Sequence, residues 1–105
     1  MKIRSYLIFV CVLALAGPAA WPQAALAGMK EGQKTYERFC AICHGKNGKA
    51  VFAGAPDFSS RLSLRMSERE LREHIKNGKR ACPAHKGILK ENDISDLIIY
   101  LSVFF

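Results

Sequence analysis

The sequence predicts a small all-α domain of three main helices and two long loops, and three observations carry that reading. Near the C-terminus Ile94, Leu97, Ile98 and Leu101 recur at i, i+3, i+4 and i+7, which is one buried stripe of a helix. Ser67-Glu68-Arg69-Glu70 is a capping-box pattern that opens a second helix. No stretch alternates apolar and polar residues over enough positions to argue for a sheet, and no segment repeats.

The chain has 105 residues, 50% of them hydrophobic, with 16 Lys plus Arg against 9 Asp plus Glu. That length excludes a multi-domain enzyme and leaves little room for a large buried substrate cleft. The first segment stands apart from the rest. Lys2 and Arg4 precede an uncharged run from Ser5 to Met29, broken by Gly17-Pro18 and Pro22 and carrying Ala25-Leu26-Ala27 at its end. A basic start, a short apolar middle and an A-x-A ending describe a secretory signal peptide over residues 1–27, cleaved before Gly28. The competing reading is an uncleaved membrane anchor facing the periplasm, since the run is just long enough to span a bilayer. Both readings place residues 28–105 outside the cytoplasm as one domain, with the net charge falling from +7 to +5 once Lys2 and Arg4 are gone.

Along that domain the first helix is expected from Lys30 to about Ile42, with Gly32, Tyr36, Cys40 and Cys43 on one face. A Gly-, Ala- and Pro-containing loop follows from Gly45 to about Leu64, with Phe52 and Phe58 as its large apolar residues. The middle helix starts after Ser67, carries Leu71 and Ile75, and stops at Gly78, where a helix end favours positive φ. A second loop, Lys79 to Leu89, holds Cys82, Pro83 and His85. The last helix begins near Glu91, with Glu91, Asp93 and Asp96 towards its positive end. Two loops of this length are unusual in so short a helical domain unless they wrap something large that is not protein.

Cys40-Ala41-Ile42-Cys43-His44 says what that is. C-x-x-C-H is the attachment sequence of c-type haem: two thiols three residues apart add to the two vinyl groups of one porphyrin, and the adjacent His44 comes beneath the iron as its proximal ligand. A thioredoxin-like pair needs a βαβ setting that is missing here, and a zinc site needs more Cys or His at paired spacing. One haem c, held through Cys40 and Cys43, is the expected cofactor.

Over residues 30 to 104 the chain resembles the small class I c-type cytochromes. Gly32 and Tyr36 match that family's N-terminal helix contact, and Tyr100 the aromatic across the crossing. Gly45 follows the haem histidine, Asn77-Gly78 closes the middle helix, and Ile94 to Leu101 reads as the family's I-x-D-L-x-x-Y-L ending. The resemblance implies a small cytochrome c fold around one covalent haem, with the Pro56 carbonyl accepting a hydrogen bond from the proximal histidine. Phe39, Phe52, Phe58, Leu71 and Leu97 are its expected apolar pocket residues, and His74 a packing or boundary histidine.

One position departs from the family. Relatives carry M-P-A-x-x-G-x-L in the second loop, with the Met as distal ligand, whereas this chain has Cys82-Pro83-Ala84-His85-Lys86-Gly87-Ile88-Leu89. Register puts Cys82 in the methionine place, where a thiolate ligand lowers the potential by stabilising the oxidised iron. Three other arrangements compete: His85 as an imidazole ligand, an open distal site, and Met66 reaching in from the start of the middle helix.

The function expected is an exported monohaem electron carrier that turns over no small-molecule substrate of its own. Alternatives are the haem subunit of a sulfur-compound-oxidising complex and a haem-based ligand or redox sensor. Lys46, Lys49, Lys76, Lys79, Arg80 and Lys86 bracket the haem motif and the second loop, so the partners expected are redox proteins, acidic or membrane-bound. Nothing in the sequence recognises nucleic acid.

Overall fold

The computed structural model describes residues 21–60 and 65–104. Four α-helices follow one another: α1 Trp21–Phe39, α2 Ala41–His44, α3 Glu68–Asn77 and α4 Glu91–Leu101, with a closing 3-10 turn over Ser102–Phe104. Residues 1–20, which hold most of the expected signal peptide, lie outside the described residues.

The first helix differs from expectation at both ends. Among the described residues it already runs from Trp21, nine residues before Lys30, because Ala24, Ala25, Leu26 and Ala27 are strong helix formers. Residues 23–27 are exposed, however, and burial begins at Gly28, whose backbone lies against Asp96 and Ile99 of α4. At the other end α1 stops at Phe39 instead of running to Ile42. Cys40 takes φ −112°, and a separate single turn, α2, carries the haem motif. The chain stays continuous through the break, since Cys40 N donates to Tyr36 O at 2.8 Å and His44 N to Cys40 O at 2.9 Å.

The helices meet where α1 crosses α4 at Gly32. A Cβ there would lie 2.6 Å from the Asp96 carbonyl carbon and 2.8 Å from Tyr100 Cβ, and would run into the Asp96 carbonyl oxygen. The residue is therefore glycine for want of space. One turn later Tyr36 is fully buried, its ring 5.3 Å from that of Tyr100 and 5.7 Å from that of Phe104. The core comprises Tyr36, Phe58, Leu71, Ile75, Ile94, Leu97 and Leu101. Each such side chain contributes roughly 2 kcal/mol by leaving water.

Helix α3 forms as its sequence asks. Ser67 accepts from Glu70 N at 3.3 Å and its own N donates to the Glu70 carboxylate at 2.7 Å, closing the capping box. Gly78 ends the helix at φ +73° with its N–H on His74 O. Ion pairs then bind α3 to α4: Lys76 to Glu91 at 2.7 Å and Arg72 to Glu91 at 3.5 Å.

These contacts set the response to acid. The Ser67 hydroxyl and N–H hold the Glu70 carboxyl below its ordinary value of 4.5, and the Lys76 ammonium does the same for Glu91. On acidification the unfolded chain takes up these protons first, so this stability is complete above pH 4.5 and is lost as pH falls through the lower folded values. The melting temperature is expected to be level in this respect between pH 5 and 7 and to drop below about 4.5. In Glu70→Gln that drop should be shallower, with a lower plateau at neutrality; an identical pH profile would show that the cap contributes nothing.

Candidate haem site

The haem motif is presented by α2, which α1 delivers and Gly45 terminates. Gly45 has φ +77°, and a side chain there would strike the Lys49 carbonyl oxygen, so both conformation and space require glycine. Its carbonyl accepts the Tyr36 hydroxyl at 2.7 Å, which ties the end of the motif to the helix crossing. Burial, then Cys40, then Tyr100 push the Tyr36 phenol well above its ordinary range, so it stays a donor.

The first loop folds back onto this segment. Val51 N and Phe52 N both donate to Cys43 O, at 2.9 and 3.1 Å, and Phe58 N donates to Gly48 O at 2.7 Å. His44 Nδ1 lies 3.0 Å from Pro56 O. A carbonyl can only accept, so Nδ1 carries the proton and Nε2 keeps its lone pair for a metal. The His44 ring stacks on the buried Phe58 ring, with centroids 4.1 Å apart and planes 12° apart. Phe58 rests in turn on Phe104 at 6.1 Å. Pro56 thus fixes the His44 tautomer, and Phe58 fixes the tilt of its ring.

The second loop winds around the end of α3. Lys79 and Cys82 exchange both backbone hydrogen bonds at 3.0 Å, which forces Arg80 to φ +55°, a region costly for a residue with a side chain. His85 N and Lys86 N then donate to Ile75 O and Lys76 O, each at 3.0 Å. Gly78 lets this loop close, since a Cβ there would meet Cys82 O at 2.7 Å and Ala84 N at 2.8 Å.

Three thiols, Cys40, Cys43 and Cys82, are free and half-buried in one neighbourhood. Burial, followed by the nearby Cys82 and Cys43, pushes the Cys40 thiol up to about 12. Burial and then Cys43 raise that of Cys82. The Cys40 thiol is therefore protonated at neutral pH, the form that adds across a vinyl group. His85 is buried on the same side, its ring edge-on to Phe39 at 6.0 Å, and its Nδ1 has no hydrogen-bond partner among the described residues. Met66 is partly buried beside the core and, with His74, Gly78 and Lys79, lines an open groove of about 410 Å³. His74 is half-buried, and burial, then Lys79, then His44 hold its imidazole below the ordinary range.

Phe52 is 51% exposed to the protein's surroundings and lies outside the protein's own apolar core, with its backbone held by the hydrogen bond to Cys43 O. One expectation needs correction. Lys76 is not a free basic charge, since Glu91 engages it from α4. Of the other pocket candidates, Leu71, Leu97 and Phe58 are core residues, and Phe39 is half-buried with the Arg38 guanidinium 5.2 Å from its ring centre. One contributor was missed: Phe104 closes the aromatic cluster, and its sequence signal was the apolar Val103-Phe104-Phe105 tail beyond the last helical stripe.

The site suits a haem. Among the described residues no three or more His, Cys, Asp or Glu converge on a metal-ion position. A haem asks for less, since its porphyrin supplies four of the iron's donors and the protein one or two axial ones. Two thiols at vinyl spacing, an imidazole with a free Nε2 and an unpartnered buried Nδ1 form a donor set that protein atoms alone leave incomplete.

Comparison with known proteins agrees. Residues 27–101 match the family described as cytochrome C oxidase, cbb3-type, subunit III. Cytochrome c6 of Thermosynechococcus vestitus is 30% identical over 102 residues, covering 94% of this chain and 91% of the relative. Cytochrome c6 of Thermostichus vulcanus matches with the same identity and coverage. With its helix crossing, its C-x-x-C-H turn and these relatives, the chain belongs to the small class I c-type cytochromes and carries one haem c attached through Cys40 and Cys43.

Proposed function

We propose that this electron-transfer cytochrome is an exported carrier whose iron has His44 and Cys82 as axial ligands, which gives it a lowered potential. The bound haem supplies a one-electron iron couple, and the protein's part is to hold it, tune it and shield it. Cys40 and Cys43 anchor it. His44 offers Nε2, made more basic by the hydrogen bond from Nδ1 to Pro56 O and held in orientation by Phe58.

The observation that carries the distal assignment is Cys82 itself, a free, half-buried thiol in the loop that closes over Gly78 and near Cys43 of the attachment motif. Burial keeps that thiol protonated in the chain alone, so a thiolate there calls for an adjacent cation, which a ferric centre provides. A thiolate donates more electron density than a thioether and favours the oxidised iron. Export is supported by the A-x-A sequence ending at Ala27 and by burial that begins at Gly28. Among the described residues no helix is long and apolar enough to cross a membrane. The partners on this reading are redox proteins with acidic surfaces, soluble or membrane-bound, met by the exposed Lys46, Lys49, Lys79, Arg80 and Lys86.

Absorption and EPR spectra of the oxidised protein test the ligand. A low-spin signal with sulfur-to-iron charge-transfer bands is expected, lost in Cys82→Ala. Cys82→Met should raise the midpoint potential. An unchanged spectrum in Cys82→Ala would overturn the assignment.

A further inference from the structure

Asp96 stands where its own helix has little use for a charge. It is the sixth residue of α4, past the first turn in which a carboxylate complements the helix dipole. Among the described residues its side chain has no hydrogen-bond or ion-pair partner, whereas Glu91 on the same helix takes Lys76 and Asp93 takes the Lys90 N–H. It is nonetheless half-buried, because α1 lies across it. Its carbonyl is the group that excludes a side chain at Gly32, and its carboxylate reaches one turn back along α1 to Gly28.

The contact at Gly28 is close. A Cβ there would lie 3.0 Å from Asp96 Oδ1 and 3.0 Å from Ile99 Cδ1. The Gly28 nitrogen is about 2.5 Å from that Cβ position, so Oδ1 is within about 5.5 Å of it, a range in which opposite charges act on each other. In the continuous helix this nitrogen is a neutral amide. Gly28 is also buried, directly after the exposed residues 23–27, and it follows Ala25-Leu26-Ala27. Cleavage before it removes none of the core residues and leaves α1 starting against a carboxylate.

We propose that processing at Ala27–Gly28 creates a structural contact: the α-ammonium left on Gly28 pairs with the Asp96 carboxylate and pins the start of α1 to α4. This rests on the export reading above. The co-reactant is water, delivered by a leader peptidase of the export machinery. The amide bond breaks, the hydroxyl goes to the Ala27 carbonyl carbon and a hydrogen to the Gly28 nitrogen. That nitrogen then takes up the proton that the new Ala27 carboxyl group releases. The shortened helix also frees the N–H groups of its first turn, and the same carboxylate lies at that positive end. Of the nearest charges on α1, Glu31 is engaged by Lys34 and Lys30 is exposed to water. The helix crossing thus reaches its full strength only in the processed chain.

The test uses the haem-loaded protein recovered after export and begins with its N-terminal sequence, expected to start at Gly28. In that protein Asp96→Asn should lower the melting temperature by a few degrees. A second form carries three extra residues between Ala27 and Gly28, which move the ammonium away and restore an amide at Gly28. There Asp96→Asn should leave the melting temperature unchanged. Acylation of the α-amine by a limiting amine reagent gives an independent readout, and should be slower in the protein starting at Gly28 than in its Asp96→Asn variant. Equal effects of Asp96→Asn in the two forms, or equal acylation rates, refute the pair and leave export standing. A chain that starts at another residue after cleavage refutes the pair alone, and one that still carries residues 1–27 overturns the cleavage reading with it.

Discussion

Gly32→Ala is expected to lower the melting temperature of the haem-loaded protein by roughly 12–24 °C. The added methyl group would point at the Asp96 carbonyl, in the middle of α4, and at Tyr100 Cβ 2.8 Å away. Neither obstacle is the flexible end of a side chain, so relief requires the two helices to separate. Overpacking of this kind costs about 3 kcal/mol, against about 1 kcal/mol gained by alanine over glycine as a helix former. Separation would also loosen the Tyr36–Tyr100 contact one turn on, which keeps the net loss near the larger figure. For a domain of this size each kcal/mol is worth about 4–8 °C. Lys34→Ala, which removes only an exposed pair with Glu31, serves as the control and should change the melting temperature by no more than a few degrees. A Gly32→Ala protein as stable as that control would show that the crossing is looser than described.

The second large effect is expected from Phe58→Ala, and it has two parts. Removing a buried aromatic leaves a cavity and costs about 3–5 kcal/mol, visible in the melting temperature. Phe58 also stacks at 4.1 Å on His44, so the imidazole loses the surface that sets its tilt while keeping its bond to Pro56 O. The ferric EPR signal should therefore broaden in addition to the loss of stability. Leu97→Ala is the comparison: it empties a fully buried site on α4 while leaving Phe58 on the His44 ring, and should destabilise with little change in the signal. If the two variants gave the same spectral width, Phe58 would be a core residue and nothing more.

What could be read in the sequence was what is written locally. Ser67, Glu70 and Gly78 bound α3 by hydrogen bonds and a backbone angle within a few residues, and the Ile94–Leu101 stripe has a single helical solution. The haem motif was equally plain, because its chemistry fixes residue types at fixed spacing. Tertiary facts were less accessible. The break at Cys40 has no Gly or Pro to announce it and exists because the motif must turn away from α1. Lys76 looked like a free surface cation until α4 brought up Glu91, fifteen residues away. Phe52 and Phe58 are indistinguishable by residue type, and only the Gly48 hydrogen bond, which draws Phe58 inward, separates them. The burial of His85 was legible only through its reading as a competing iron ligand, since a histidine flanked by Ala84 and Lys86 otherwise suggests surface.

The two loops between the helices bury two large side chains among the described residues, Phe58 and His85, and one of those keeps an unpaired nitrogen. Much of this chain's cohesion is consequently held in reserve for a group that it does not encode. An ordinary ligand would stabilise such a fold only in proportion to how far its concentration exceeds its dissociation constant. Thioether bonds at Cys40 and Cys43 remove that dependence: once attached, the haem cannot be diluted away, and unfolding must carry it along. Folding and maturation then become a single commitment, made once per molecule and not renegotiated with its surroundings.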